Sequence, residues 1–369
     1  MLVRKLTVDG FRNLHTATFT PCPGVNILYG DNAQGKTNFL EACWLFTGSR
    51  SFRGARDSEL VGFAAPRARL EMAFFAAGRE QEATVTVENR RAVTLNGVRL
   101  PSANKLAGVF CGTIFSPEHL SLVKNGPEER RRFVDAAYCQ IKPGYHATVA
   151  EFQRVMTQRN ALLRRMAEKN APSPADREML ALWDQKTAAA GARLTVGRQR
   201  YIDRLRPLAE EIYAGLSGDR EKLSVAWVSP AYTPDATPAQ VAANWLTLLQ
   251  DARRADMAVG HATAGAHRED MQLLLDGTPL RAFGSQGQQR SAVLALKLAE
   301  ATLLQETAGE PPVTFLDDVM SELDPSRQDY ILNHIRDWQV FITCCEPTTA
   351  LRMTAGQAFF IKQGVITEQ

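Results

Sequence analysis

The chain lacks any run approaching the ~20 consecutive apolar residues that a membrane-spanning helix needs. Its mean hydropathy is −0.22, so apolar and polar residues are close to balanced over its length. The first residues, MLVRKLTV, alternate as in a β-strand and do not form the long apolar stretch of a signal peptide. We therefore expect a soluble, cytoplasmic protein with no membrane partner.

Cysteine is also scarce, and its six copies have neither the paired spacing of a metal site nor the pattern of a secreted disulfide framework. We expect them to be reduced and mostly buried. They are Cys22, Cys43, Cys111, Cys139, Cys344 and Cys345.

A strong excess of one charge is missing, since 43 Lys and Arg stand against 40 Asp and Glu, a net charge of +3. That value alone does not indicate a nucleic-acid partner. No internal repeat or low-complexity tail is present. With 369 residues, of which 45% are hydrophobic, the chain is long enough for two or so domains with a substantial core.

The clearest motif is GDNAQGKT at residues 30–37, which fits the P-loop pattern G-x-x-x-x-G-K-[ST]. An apolar, strand-like run precedes it at residues 25–29, and a helix-like run follows at 38–46. Lys36 would bind the β- and γ-phosphates of ATP, and the Thr37 hydroxyl would bind Mg²⁺. The residues predicted to surround the phosphates are Gly30, Asp31, Asn32, Ala33, Gln34, Gly35, Lys36 and Thr37.

A second part of the same site is predicted far along the chain, where the apolar strand VTFLDD ends in Asp317 and Asp318. Open α/β sheets bind ligands at the carboxyl ends of their strands. We assign Asp317 to binding Mg²⁺. Asp318 is assigned to orienting or deprotonating an attacking water, and we predict that Asp318 and Lys36 are the catalytic residues. An apolar strand ending in two acids is by itself more often a solvated strand end, and the P-loop makes the metal role the stronger interpretation.

The third motif is FGSQGQQR at residues 283–290, directly before a helix with a buried apolar pattern. The Ser285 hydroxyl and the glycine N–H groups at such a helix start would bind an anion. Because the P-loop already surrounds the phosphates of its own ATP, we expect this motif to contact the γ-phosphate held by another subunit. The alternative is an ordinary Ser cap beside a glycine loop.

Together these motifs resemble the ATP-binding-cassette ATPases, and within them the RecF family, which is related to the SMC proteins. The resemblance spans nearly the whole chain, because further family segments occur in the same order. They are FRNL (11–14), SFR (51–53), SPEHL (116–120), NGPEERRRFVD (125–135), GAHRED (265–270) and LDDVMSELD (316–324).

The resemblance implies an α/β fold, in which a cassette ATPase head with a P-loop mixed sheet carries a mainly helical second lobe. It also implies an ATP-dependent DNA-binding protein of repair, replication, recombination and the SOS response. Such a protein dimerises with ATP on single-stranded, duplex or gapped DNA and works with RecR and RecO to load a recombinase. Arg12 and Asn13 would then lie beside the nucleotide, and the residues acting in trans would be Ser285, Gly287, Gln288 and Asp324.

Three departures from the wider cassette pattern bear on catalysis. Asp318 stands where a catalytic Glu is usual, Gln286 replaces a Gly of the signature, and the switch His is absent near Thr343 and Cys344. Slow, DNA-stimulated hydrolysis is therefore expected. One alternative is a nucleotide-regulated DNA scaffold with little turnover. Another is the ATPase subunit of a transporter, against which SPEHL and GAHRED argue.

The domain organisation follows from the motif positions. Residues 1–125 and 266–369 are predicted to form the ATPase lobe, and 126–265 the helical lobe with a short helical-hairpin arm. The Pro-rich segment APSPAD at 171–176 breaks the arm, so a long coiled coil is excluded. Asn96 and Gly97 predict a tight hairpin between two short strands.

A DNA surface is suggested by charge distribution, since residues 145–207 contain twelve Lys or Arg against six Asp or Glu. A solvated helix face is nearly as good an explanation for any single arginine. Few aromatics are interleaved, which favours phosphate contacts over base stacking. The candidates on this face are Arg193, Arg198 and Arg200. The resemblance to cassette ATPases implies that DNA lies across the top of the dimer, so Arg50, Arg53 and Arg56, just after the P-loop helix, are also candidates. His267 and Arg268 are assigned either to the dimer interface or to packing between the lobes.

Overall fold

The computed structural model describes residues 1–168, 173–345 and 356–368. The strands are β1 (Leu2–Asp9), β2 (Ala17–Phe19), β3 (Val25–Tyr29), β4 (Ala68–Ala76), β5 (Arg79–Val87), β6 (Arg91–Leu95), β7 (Val98–Leu100), β8 (Gly112–Phe115), β9 (Leu223–Val228), β10 (Asp270–Leu275), β11 (Thr278–Pro279), β12 (Val313–Asp317), β13 (Val340–Cys344), β14 (Gly356–Lys362) and β15 (Val365–Glu368). The α-helices are α1 (Lys36–Trp44), α2 (Ser121–Lys124), α3 (Pro127–Ile141), α4 (Tyr145–Ala167), α5 (Pro174–Ser217), α6 (Pro238–Val259), α7 (Leu280–Phe283), α8 (Gln286–Ala308) and α9 (Pro325–His334).

One six-stranded sheet, in the order β15-β14-β3-β13-β12-β8, carries the predicted nucleotide residues. Strands β14, β3, β13, β12 and β8 run parallel, and β15 pairs antiparallel with β14. All five residues of β12 are buried, as expected for a parallel strand covered on both faces. Because parallel strands end at one edge, the segments that follow β3, β12 and β13 lie close together.

The second six-stranded sheet has the order β2-β1-β4-β5-β6-β7 and is antiparallel. Burial alternates along β4, so one of its faces packs on the core. Asn96 and Gly97 join β6 to β7 with φ of 50° and 77°. Two positive φ values are what a two-residue type I′ hairpin requires, and the predicted turn is confirmed.

The helical arm is a hairpin of α4 and α5. Leu162, Leu163 and Met166 near the end of α4 form one buried cluster with Leu180 of α5. The predicted break at residues 171–176 is only partly visible, because residues 171 and 172 lie outside the described residues; α5 begins at Pro174.

The chain forms two units. The first comprises Met1–Leu120, Glu211–Glu221 and Arg290–Gln369, and the second Ser121–Glu210 and Lys222–Gln289. These bounds differ from the predicted ones, since residues 266–289 group with the helical unit. The reason is that β10 pairs with β9 along six residues of each strand, which keeps both strands in one sheet. Within the described ranges, no helix is both long and apolar enough to cross a bilayer.

Candidate nucleotide-binding site

The loop at residues 30–37 joins β3 to α1, and two of its glycines have backbone conformations that side chains disfavour. Gly30 has φ 146° and Gly35 has φ 115°. A Cβ on Gly30 would lie 2.3 Å from the Ile361 carbonyl oxygen, and one on Gly35 would lie 2.8 Å from Leu14 Cδ2. The fold therefore requires glycine at both positions. This geometry brings the loop to the N-terminus of α1, where unpaired N–H groups attract anions.

Lys36 places a cation inside this loop. Its Nζ donates to the carbonyl oxygens of Gly30, at 2.6 Å, and Asp31, at 3.1 Å. The residue is only 4% exposed, so the backbone of the loop fixes the ammonium in place. A buried cation beside a helix N-terminus is suited to a polyphosphate.

Thr37 connects the loop to the carboxyl end of β12. Its Oγ1 donates to Asp317 Oδ1 at 2.8 Å. The same carboxylate oxygen accepts from Thr343 Oγ1, also at 2.8 Å, and Thr343 Oγ1 in turn accepts from the backbone N–H of Asp318 at 2.9 Å. Thr343 lies near the end of β13, so α1 and β13 both donate to the carboxylate at the end of β12.

The electrostatics of Asp317 fit a cation site. Burial raises its pKa to about 6, hydrogen bonds from Thr37 and Thr343 oppose this rise, and the charges of Asp318 and Glu118 add to it. A divalent cation would relieve the cost of ionising this buried carboxylate. Among the described residues, no group of three or more His, Cys, Asp or Glu is placed to hold a metal. The Thr37 hydroxyl and the Asp317 carboxylate are the kind of oxygen ligands that Mg²⁺ takes from a protein, with phosphates and water completing its shell.

Three non-glycine residues of this site have a positive φ. Arg12, Ala33 and Asp318 have φ of 54°, 65° and 53°, in the left-handed region that residues with a Cβ rarely occupy. Strained residues of this kind cluster at functional sites, where the surrounding structure holds them in place. The half-buried Asp318 directly follows Asp317 at the end of β12.

Arg12 is held by a buried carboxylate that sequence reasoning missed. Its Nε and Nη2 donate to the two carboxylate oxygens of Glu41, at 2.9 and 3.1 Å, and its Nη1 donates to the Glu59 carbonyl at 3.0 Å. Glu41 is fully buried and also accepts from the Ser51 hydroxyl. The only sequence signal for Glu41 is an acid within the apolar run after the P-loop.

Asn13 contacts the P-loop directly. Its Nδ2 donates to the Ala33 carbonyl at 3.1 Å, and its Oδ1 accepts from Asn38 Nδ2 at 2.7 Å. Arg53 Nη1 donates to Asn38 Oδ1 at 3.0 Å and extends the network. The structure therefore brings together FRNL, the P-loop and the arginine after α1.

The turn between β14 and β15 also supports the P-loop, a contact that sequence reasoning did not predict. The backbone N–H of Gln363 donates to Gln34 Oε1 at 2.6 Å, and that of Gly364 donates to the Gln34 carbonyl at 2.9 Å. A Cβ on Gly364 would lie 1.9 Å from the Asn13 carbonyl oxygen, so only glycine fits. The Gln-Gly pair signals a turn, but nothing in the sequence says which loop this turn meets.

Cys345, which directly follows β13, is exposed and lies beside the loop. Its Sγ lies 3.3 Å from Asn32 Oδ1 and 3.9 Å from Lys36 Nζ. Burial raises the pKa of the neighbouring Cys344 to about 11. Residues 346–355, where a switch residue after this strand would be sought, lie outside the described residues.

Ser285 caps its own helix. Its Oγ accepts from the backbone N–H of Gln288 at 3.3 Å, and its backbone N–H donates to Gln288 Oε1 at 2.7 Å. This capping box begins α8 and is the geometry of the ordinary-cap alternative. Ser285 is nevertheless exposed, and Gly287 lies in the first turn of the helix. Cap geometry and contact with a second subunit are compatible.

Asp324 is likewise an exposed helix cap. It accepts from the backbone N–H of Arg327 at 3.1 Å and from the Ser326 hydroxyl at 2.6 Å, at the start of α9. Hydrogen bonds from Ser326 and Arg327 lower its pKa. The residue remains charged at the surface.

The arginines predicted to form one basic face of α5 are not all exposed. Arg198 is 4% exposed and forms ion pairs with Asp135 and Glu269 at 2.7 and 2.8 Å. This burial is incompatible with the predicted contact between Arg198 and DNA. Arg193 is exposed but pairs with Glu151 at 2.7 Å, and Arg200 is exposed. The arginines after α1, which are Arg50, Arg53 and Arg56, are all exposed.

Two family segments, NGPEERRRFVD and GAHRED, meet within the helical unit. Arg130 Nε donates to Asp270 Oδ1 at 2.7 Å, and Arg131 Nη1 donates to the Glu269 carbonyl at 2.7 Å. His267 Nε2 lies 3.3 Å from the Ala262 carbonyl, and burial lowers its pKa to about 4. His267 is therefore packed in the unit as a neutral side chain, whereas Arg268 is exposed.

The chain is similar to known proteins over most of its length. The sequence profile of the RecF/RecN/SMC N-terminal domain matches residues 2–367. The DNA replication and repair protein RecF of Heliobacterium modesticaldum is 38% identical over 93% of this chain and 92% of that protein. RecF of Ruminiclostridium cellulolyticum is 35% identical over the same shares.

Solved structures of RecF and of an Smc head domain are also similar to this chain. A recombination mediator protein RecF with ATP, described as part of the RecFOR pathway, has a TM-score of 0.92 and 33% identity, covering 100% of this chain and 97% of that one. A Pyrococcus furiosus Smc head domain has a TM-score of 0.53 at 14% identity, over 100% of this chain and 96% of that one, a likeness of fold alone.

Proposed function

This chain belongs to the family of RecF DNA replication and repair proteins, and we propose that it binds ATP and Mg²⁺ and closes as a dimer on gapped DNA. RecR and RecO are its proposed partners, because the similar RecF with bound ATP is assigned to the RecFOR pathway. In this proposal it helps to load a recombinase in the cytoplasm, during recombinational repair and the SOS response.

The observation that carries the proposal is the 2.8 Å hydrogen bond from Thr37 to Asp317. It joins the phosphate loop to the metal carboxylate. Lys36 and the loop N–H groups would hold the phosphates, while Thr37 and Asp317 would hold Mg²⁺. The bound cation would neutralise charge on the phosphates. Asp318 would accept a proton from, or orient, the attacking water.

Dimerisation would use two surface caps, at Ser285 and Asp324. Both are exposed, and Ser285 begins a helix whose positive end favours a phosphate. ATP would act by binding the closed dimer more tightly than the monomer, which shifts the population toward the dimer. DNA would favour the same state, and hydrolysis would reopen it.

A second function, a DNA scaffold regulated by nucleotide with little turnover, is favoured by one observation. Asp318 is a methylene shorter than the Glu usual at this position, so its carboxylate reaches less far toward an attacking water. Single-turnover hydrolysis by the wild type and Asp318→Asn separates the two functions. A working ATPase loses its rate in the variant, whereas a scaffold shows the same very low rate in both.

Binding of gapped DNA, with and without ATP, tests the main proposal. The wild type should bind more tightly with ATP, and Lys36→Met should lose that difference. Equal binding by both proteins under both conditions would contradict the proposal.

A further inference from the structure

Phe63 projects from the loop between Leu60 and Ala68. Its relative exposure of 112% is the highest among the exposed large hydrophobic residues of the described ranges. The backbone N–H of Ala65 donates to the Gly62 carbonyl at 2.9 Å, which closes a β-turn with Phe63 as its first central residue. The turn places the ring at its tip, where it gains nothing from burial.

The loop is fixed to the rest of its unit. The backbone N–H of Gly62 donates to the Gly10 carbonyl at 2.8 Å, and Val61 bridges to Phe11. A Cβ on Gly62 would lie 2.8 Å from the Arg12 carbonyl oxygen, so this close approach depends on glycine. Phe63 is therefore held outward by an ordered turn. A rigid aromatic ring loses little conformational entropy when it meets a partner.

The sequence on both sides of the turn is rich in arginine. Four exposed arginines flank it, and among the described residues none of the four forms an ion pair with a carboxylate. They are Arg50, Arg53, Arg56 and Arg67. The two acids between Arg50 and Arg67 have other partners than these arginine side chains. Asp57 pairs with Arg91 at 3.0 Å, and Glu59 Oε2 accepts from the backbone N–H of Arg56 at 2.7 Å.

The backbone of Arg67 lies beside the base of the same turn. A Cβ on Gly10 would lie 2.5 Å from the Arg67 carbonyl oxygen, and Gly10 is the residue that binds Gly62. The two ends of the loop therefore meet at Gly10, with the aromatic tip between them. A chain segment that carries an exposed aromatic ring and four exposed arginines without carboxylate ion pairs is complementary to a nucleic acid strand, which offers both base faces and phosphates.

We infer that Phe63 stacks on an unpaired base of single-stranded DNA while the flanking arginines hold the adjacent phosphates. This inference rests on the proposed DNA-binding function and specifies one of its contact surfaces. It also modifies the expectation that phosphate contacts are favoured over base stacking, because the sequence does not show that Phe63 is exposed. A duplex has its bases stacked already, so the ring should contribute there far less.

The test is fluorescence anisotropy with a labelled oligothymidine and a blunt duplex of equal length, in ATP and Mg²⁺. Phe63→Ala should weaken oligothymidine binding about tenfold, leave duplex binding within about twofold, and keep the salt dependence of binding. Phe63→Trp should restore the lost affinity. Arg56→Ala and Arg67→Ala should weaken both ligands and lower the salt slope on the oligothymidine by about 0.7 each.

Arg79→Ala is the matched control. Arg79 is exposed and starts β5, at the opposite end of β4 from Arg67, about 30 Å away along the strand. The Arg79→Ala variant should bind the oligothymidine and the duplex as tightly as the wild type does. Unchanged oligothymidine binding by Phe63→Ala would overturn the inference and leave Phe63 for a protein contact. An equal loss on the duplex would overturn it in favour of a wedge between stacked base pairs. A wild type that binds neither DNA would overturn the proposed function as well.

Discussion

Thr37 Oγ1 donates to Asp317 Oδ1 at 2.8 Å, although 280 positions separate the two residues in the chain. The bond forms only when β3 and β12 have both joined β13 in one parallel sheet. Nucleotide affinity is therefore a sensitive measure of whether the first unit has assembled.

Replacing Lys36 with Met should abolish tight ATP binding. The variant keeps the aliphatic stem but removes the ammonium that lies 2.6 Å from the Gly30 carbonyl. Loss of charge-assisted contacts to two phosphates should cost about 3 kcal/mol, or about a hundredfold in affinity. Isothermal titration calorimetry measures this change. Lys5→Met, at an exposed position of β1, is the control and should bind ATP normally.

Asp317→Asn should stabilise the nucleotide-free protein at pH 7.5. The folded pKa of Asp317 is raised to about 6 from an ordinary 3.8, so its contribution to stability is full below about pH 4 and is lost as pH rises through 6. Asparagine keeps an oxygen for Thr37 and Thr343 without the buried charge. Denaturant unfolding should show a gain of about 1–3 kcal/mol at pH 7.5 that shrinks toward zero near pH 4.

The same substitution should remove the Mg²⁺ dependence of ATP binding. In the wild type, that dependence should weaken as pH falls below about 6, because a protonated Asp317 is a poor cation ligand. A variant that is less stable at pH 7.5, or that retains full Mg²⁺ dependence, would contradict the assignment.

ATP should protect Cys345 from alkylation. It is the exposed cysteine of the six, and its Sγ lies 3.3 Å from Asn32 in the P-loop. Burial raises the pKa of Cys111 to about 12 and that of Cys344 to about 11, so both should react slowly. Maleimide labelling followed by peptide mass spectrometry should show slower modification of Cys345 with ATP. Lys36→Met should show no protection, and equal rates in the wild type would place the nucleotide elsewhere.

Arg159→Met should destabilise the helical unit strongly. The guanidinium is fully buried and donates to Asp184 and Asp256, both at 2.8 Å, so its loss leaves buried carboxylates under-compensated. The expected cost is about 3–5 kcal/mol. Arg193→Met is the matched control, because its pair with Glu151 is exposed and should contribute under about 1 kcal/mol. Urea unfolding compares the two, and similar losses would contradict the role given to burial.

The convergence of the P-loop and Asp317 could be predicted from sequence because parallel strands share an edge, and each strand carries its own apolar signal. Glu41 and Gly364 could not be predicted, since their roles depend on which residues the fold brings opposite them. The count of charged residues led to the wrong prediction that Arg198 contacts DNA. Composition gives the number of arginines but not which ones face buried acids such as Glu269.

The unit boundary was missed for a related reason. Motif order placed GAHRED and the segment after it with the ATPase lobe, but strand pairing between β9 and β10 places them with the helices. Pairing between strands distant in sequence is not visible in local patterns.

The most direct test of the central claim, that Ser285 of one subunit contacts the triphosphate held by another, is sedimentation velocity of the wild type and Ser285→Asp with ATP and Mg²⁺. Aspartate preserves the helix cap and adds a negative charge that repels phosphate. We predict that both proteins bind ATP, that the wild type sediments as a dimer, and that Ser285→Asp stays a monomer, while Ser285→Asn controls for the cap alone. A wild type that remains monomeric with ATP and gapped DNA, or a Ser285→Asp variant that dimerises equally well, would contradict the claim.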